Sequence, residues 1–127
     1  MRGGRGGRGG RGGYRSGPVP NEKLCIDLCK WTGIETDTKG IKKPLEMMLE
    51  LKYGQFSGPK NPDWLIHGIV EGVVANVYKQ YTGAKKGDVT CYLGKIIGGN
   101  IEGDIEYTYD NYKQVDRGAT FTLAVPK

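Results

Sequence analysis

Residues 61–83 read NPDWLIHGIVEGVVANVYKQYTG, and the secondary structure given to this stretch decides the fold class of the whole chain. Asn61 is a preferred helix cap, and Pro62 suits the first helical position, where no backbone N–H is needed. Leu65, Ile66, Ile69, Val70, Val73, Val74, Val77 and Tyr78 recur at three- and four-residue intervals, the spacing of a broad apolar helical face. Gly83 supplies a stop. The spacing predicts one long helix whose apolar arc is wide enough to face two partners and to form the centre of a core.

Downstream the period changes from helical to two. Val89, Cys91 and Leu93 fall on one side of a strand, and Ile96-Ile97-Gly98-Gly99-Asn100-Ile101 carries a hairpin signal. Ile105, Tyr107 and Tyr109 then alternate with Glu106, Thr108 and Asp110, and Phe121, Leu123 and Val125 alternate with Thr120, Thr122 and Ala124. Tyr107 and Tyr109 share a face with Ile105 and read as core, while Tyr92 and Tyr112 stay open between core and a stacking surface.

Upstream, Asn21 caps a first helix in which Leu24, Cys25, Leu28 and Cys29 recur at helical spacing and Gly33 ends the run. A short strand with Leu24, Ile26 and Leu28 on one face is the competing reading. Pro44 opens a second short helix to about Tyr53, with Leu45, Met48, Leu49 and Leu51 facing inward. Helices first and an antiparallel meander last give an α+β expectation for a single domain over residues 21–127. A three-stranded sheet leaves edges to cover, which favours pairing between two chains.

The first fifteen residues are of a different kind: MRGGRGGRGGRGGYR. Residues 1–20 hold five arginines and no acid, while the remainder carries fourteen basic and fourteen acidic side chains, so the net charge of +5 sits in this arm. Nine of these twenty residues are glycine. Such a segment buries too little apolar surface to offset its ordering entropy, and disorder is the expectation for residues 1–20, linker included. Arg2, Arg5, Arg8, Arg11 and Arg15 offer planar forks to phosphate oxygens, and Tyr14 adds a stacking face. RNA, with splayed bases and loops, suits this better than a smooth duplex. Neutralising five phosphates gives a salt slope of only about 3.5 on single strands. Tight binding then calls for several arms acting together, and a homodimer or higher oligomer is expected.

Lys42, Lys43, Lys85 and Lys86 lie in connections, with Lys39 and Lys60, and form a candidate secondary basic surface for the same RNA. Other constellations carry less. Asp63, His67 and Glu71 fall at i, i+4 and i+8 of the long helix, and a solvated face explains them as well as a metal or a general base does. Cys25, Cys29 and Cys91 lack the tight knuckle spacing of structural zinc. Gly94, Gly98, Gly99 and Gly103 lack the strand–turn–helix setting of a phosphate loop. No cofactor, metal or enzymatic chemistry is expected. No stretch reaches the roughly 18–20 apolar residues of a membrane span, and the N-terminus has no secretory pattern. Three cysteines, an odd number, fit a reducing cytoplasmic or nuclear setting.

The order of features resembles the arterivirus-type nucleocapsid proteins of nidoviruses. The residues that carry this are Pro18-Val19, Asn21, Leu24-Cys25 and Leu28 after a basic arm, and the strand pair Val89-Thr90-Cys91-Tyr92-Leu93 and Ile105-Glu106-Tyr107-Thr108. The ending Arg117-Gly118-Ala119-Thr120-Phe121-Thr122-Leu123 is similar to the last strand of torovirus nucleocapsids. The resemblance implies a dimer in which each hairpin joins its partner's in a shared sheet floored by helices, with the arms on genomic RNA in a virion. The alternative is a cellular RGG-type regulator whose folded domain recognises its target directly.

Overall fold

The computed structural model describes residues 23–126, and these form one closed antiparallel barrel. The strands are β1 (Ile26–Thr36), β2 (Lys42–Lys52), β3 (Gln55–Ser57), β4 (Trp64–Glu71), β5 (Val74–Tyr81), β6 (Val89–Ile97), β7 (Asn100–Tyr109) and β8 (Gln114–Ala124). Each pairs with the next in sequence, and β8 returns to β1 over residues 33–36 and 120–123. The α+β expectation is overturned. Among the described residues there is no α-helix, and the fold is all-β.

The long helix of residues 61–83 is a hairpin. Trp64 pairs with Tyr81 at its open end and Glu71 with Val74 at its tip, leaving Gly72-Val73 as a two-residue turn. Gly72 is left-handed at φ 60°, as the first central residue of a tight hairpin turn requires. Ile66, Val70, Ala75 and Val77 point into the barrel and are buried, whereas Leu65, Ile69 and Val73 are roughly half exposed on the outside. Inward and outward apolar residues together imitate a helical stripe. A helix would also carry Gly68 and Gly72 in its interior, each costing about 1 kcal/mol relative to alanine, and a run of β-branched residues better suited to a pleated sheet.

The two upstream helices are strands for the same reason. In β2 the inward set is Leu45, Met47, Leu49 and Leu51, at period two, and Met48 is exposed. In β1 the register shifts between Ile26 and Cys29, so Leu28 turns outward while Trp31 is buried. Gly33 does not end an element. It sits where β1 meets β8, so close that a Cβ would collide with the Thr122 carbonyl. The hairpin at Gly98-Gly99 and the inward Phe121 and Leu123 are as the alternation predicts. Trp31, Leu49, Val77, Ile101, Ile105 and Leu123 are the largest of the fully buried side chains of the core.

Two consequences of the topology matter for function. β7 and β8 pair with each other and close on β1, so there is no free hairpin to join a partner's sheet, and the shared-sheet dimer is overturned with the fold. The two ends of the barrel also differ. Residues 37–41, 58–63, 82–88 and 110–113 connect strands at one end, while the turns at 53–54, 72–73 and 98–99 close the other. Among the described residues no helix is long and apolar enough to cross a membrane.

Candidate nucleic-acid interface at the long-loop rim

The long connections gather the lysines that the sequence scatters. Lys42 and Lys43 open β2 after the first connection, Lys60 lies in the second, and Lys85 and Lys86 lie in the third. β2 and β6 stand four places apart in a ring of eight strands, so the two dibasic pairs flank the mouth from opposite sides. Among the described residues none of these lysines has a carboxylate within ion-pairing distance. Neighbouring acids are committed to backbone turns: Asp37 Oδ1 accepts from Lys39 N at 2.8 Å and Ile41 N at 2.9 Å, and Asp88 Oδ1 accepts from Asp110 N at 3.2 Å. Arg2, Arg5, Arg8, Arg11, Tyr14 and Arg15 lie outside the described residues.

Between the dibasic pairs stands a cluster that a helical reading of residues 61–83 hides. Trp64 and Tyr81, cross-strand partners at the open end of the β4–β5 hairpin, meet edge to face at 6.4 Å. Lys79 Nζ lies 4.1 Å from the Trp64 ring centroid and 5.4 Å from that of Tyr81, and Lys85 Nζ approaches Tyr81 at 5.5 Å. Each such contact is worth roughly 0.5–2 kcal/mol, more as water is excluded. These two lysines thus lie against aromatic faces rather than against carboxylates.

The backbone around this cluster is fixed by hydrogen bonds. Thr82 N and Gly83 N donate to the Asp63 carbonyl at 2.8 and 3.2 Å, Tyr81 N donates to the Asp88 carbonyl at 3.0 Å, and Asp63 N donates to Asn61 Oδ1 at 2.8 Å. β3 spans only three residues, so β2 and β4 separate towards this rim. Trp64 stands between two depressions in that gap. One, of about 310 Å³, is lined by Met47, Pro59 and Lys79, and the other, of about 540 Å³, by Lys60, Pro62 and Leu65.

Across the mouth, Tyr81, Lys85, Thr90, Tyr107 and Tyr109 line a third depression of about 240 Å³. Tyr107 donates its hydroxyl to Glu35 Oε2 at a long 3.5 Å. Burial, then the nearby Glu35 carboxylate, pushes the Tyr107 phenol up, and burial dominates the larger upward shift of Tyr92. Both phenols therefore stay neutral at physiological pH. Tyr92 is buried edge-on against Phe121, whereas Tyr112 is exposed in a turn. The remaining sequence candidates disperse. Asp63 precedes β4, His67 and Glu71 lie on its outer face, and His67 stacks on Tyr78 at 5.3 Å. Cys25 is exposed, Cys29 half-buried on β1, and Cys91 buried on β6 with its thiol pushed up by burial and by Glu106. Among the described residues no group of His, Cys, Asp or Glu is placed to hold a metal ion.

Sequence signs of the cluster do exist: Trp64 and Tyr81 are equidistant from Gly72-Val73, so a hairpin reading puts them face to face. Compared with known protein families, curated proteins and solved structures, the chain matches none.

Proposed function

We propose that this protein binds single-stranded RNA without catalysing a reaction, its arm holding phosphates and its long-loop rim taking bases. The observation that carries the reading is the Trp64–Tyr81 pair with Lys79 and Lys85 against its rings, open to depressions on either side and flanked by unpaired lysines. Aromatic faces accept any base at about 1–3 kcal/mol each, and adjacent ammonium groups meet the backbone phosphates. The rim is therefore suited to a flexible single strand, whose bases can turn out to stack, more than to a rigid duplex.

The arm joins the barrel at the turn end, opposite the rim. Twenty-two residues precede the described part, a contour of at most about 73–79 Å. The longest strands have eleven residues, roughly 37 Å. Chain length thus permits one RNA to engage both. The test is fluorescence anisotropy of the full chain with labelled oligouridine across a salt series. Trp64→Ala and Tyr81→Ala are expected to weaken binding at every salt concentration with little change of slope, and deletion of residues 1–20 to lower the slope by about 3.5. Unchanged affinity in both aromatic variants would remove the rim from the reading and leave the arm alone.

A second reading, RNA packaging by a self-associating protein, draws on a different observation. Leu65, Ile69, Val73 and Ile97 leave roughly half their surface exposed on the outside of the β4–β6 wall, a concentration of apolar surface that suits contact between barrels. Light-scattering mass of the full chain over a dilution series separates the two. A dimer persisting to low micromolar supports packaging through gathered arms, and a monomer leaves the rim as the recognising element.

A further inference from the structure

The connection of residues 82–88 carries two opposite charges that do not pair with each other. Lys85 and Asp88 both line the depression of about 240 Å³, with Tyr81, Tyr107 and Tyr109. A turn joins them: Asp88 N donates to the Lys85 carbonyl at 3.0 Å, and Gly87 before Asp88 is left-handed at φ 101°. The turn is pinned to the next connection, since Asn111 N donates to the Gly87 carbonyl at 2.9 Å and Asp110 N donates to Asp88 Oδ1 at 3.2 Å. Among the described residues neither the Lys85 ammonium nor the Asp88 carboxylate makes an ion pair, and Asp88 Oδ2 accepts no hydrogen bond. The Tyr107 hydroxyl gives its proton to Glu35 Oε2, and burial, then the Asp116 and Asp88 charges, push the Tyr109 phenol up. The depression therefore offers a ligand one cation and an acceptor-rich wall. A carboxylate repels phosphate, so a half-buried, unpaired Asp88 on this rim suits hydrogen-bond donors on a base and not the backbone of a nucleic acid.

We propose that this depression takes a guanine base of the bound RNA, with Asp88 and Lys85 reading its Watson–Crick edge. The inference rests on the RNA reading above and adds a base preference to it. Guanine presents, side by side, the O6 acceptor, the N1–H donor and the N2 amino donor. The Asp88 carboxylate accepts from N1–H and N2–H together, and the Lys85 ammonium donates to O6. Uracil matches the first two positions but sets its O2 acceptor against the carboxylate, where guanine has the amino group. Cytosine and adenine each give the carboxylate a single amino group, one bond in place of two. Single-stranded bases are read on this edge once they are splayed out. Size agrees: a cavity of about 150 Å³ takes a benzene ring, so about 240 Å³ suits the fused rings of a purine, with the tyrosines as walls.

The experiment measures fluorescence anisotropy of the full chain with labelled oligouridine and with the same strand carrying one central guanosine or inosine. Inosine keeps O6 and N1–H and lacks the amino group. The guanosine strand is expected to bind roughly 5- to 150-fold more tightly than oligouridine, the discrimination a bidentate pair confers, with the inosine strand between them. In Asp88→Asn, whose amide oxygen can still accept from Asp110 N, the preference for guanosine should vanish. Equal affinity for guanosine and inosine strands, or a preference kept in Asp88→Asn, would overturn the proposal. Should Asp88→Asn not fold, the guanosine–inosine comparison on the unmodified protein decides. Trp64→Ala separates this inference from the reading beneath it. If that variant weakens every strand while guanosine and uridine strands bind the unmodified protein equally, the base preference fails and the rim stands. If it weakens none, the rim reading fails and takes the guanine site with it.

Discussion

The two ends of this barrel are built from the same eight strands yet differ in chemistry, and the difference follows from how the strands are joined. At one end, three two-residue turns hold the chain tight over an apolar cavity. At the other, connections of four to seven residues leave room for lysines, and the aromatic residues of the strand ends stay half-buried among them. Closure leaves two incomplete seams, the four-residue junction of β1 with β8 and the stretch beyond the short β3, and the second opens on the polar rim. A closed wall thus leaves its two ends with different surfaces, and connection length decides which end carries lysines and which an apolar hollow.

Both ends depend on the shared wall, and the largest expected effect comes from breaking it. Ile105 is wholly buried midway along β7. Ile105→Ala should lower unfolding free energy by about 2–5 kcal/mol in a denaturant titration and loosen both ends together. Loss of one end alone would show that they are separate units. Next in size, Trp64→Ala and Tyr81→Ala should each weaken oligouridine binding by roughly 5- to 150-fold while leaving the Trp31 indole N–H resonance in place. A change at both ends from these rim substitutions would contradict the division.

Gly72 tests the hairpin that sets the ends apart. Its left-handed backbone, with open space where a Cβ would stand, means that Gly72→Ala should cost about 1–2 kcal/mol. In a helix the same change would instead stabilise by about 1 kcal/mol, so the sign of the shift alone decides. Neutralising Lys42 and Lys43, or Lys85 and Lys86, to glutamine should reduce the salt slope of RNA binding by about 0.7 for each phosphate no longer neutralised, without altering stability. Smallest at physiological pH is the effect of Tyr92. Its folded phenol is pushed up, chiefly by burial, whereas the unfolded chain ionises near about 10. The folded state then retains more protons, so this stability is complete below about pH 10 and is lost as pH rises further. Tyr92→Phe should flatten that alkaline loss.

How much is legible in the sequence divides along the chain for one reason. In β7 and β8 the outward positions are mostly polar, as with Glu102, Asp104 and Glu106 against the inward Ile101 and Ile105, so the period of two stands clear. In β4 and β5 the outward Leu65, Ile69 and Val74 are apolar too, and adding them to the inward set turns a period of two into one of three and four. In β1 the register shift after Ile26 sends Leu28 outward and breaks the alternation. The arm and the lysine pairs are legible because charge and glycine content need no fold to be counted. The Trp64–Lys79–Tyr81 cluster is not, because its members come together only once residues 61–83 turn back at Gly72.

The claim that the folded rim, and not the arm alone, touches RNA bases is tested most directly by ultraviolet crosslinking of the full chain to oligouridine, followed by mass spectrometry of the adducts. Adducts at Trp64 or Tyr81 are expected in addition to those in the arm. Adducts confined to residues 1–20 would contradict it.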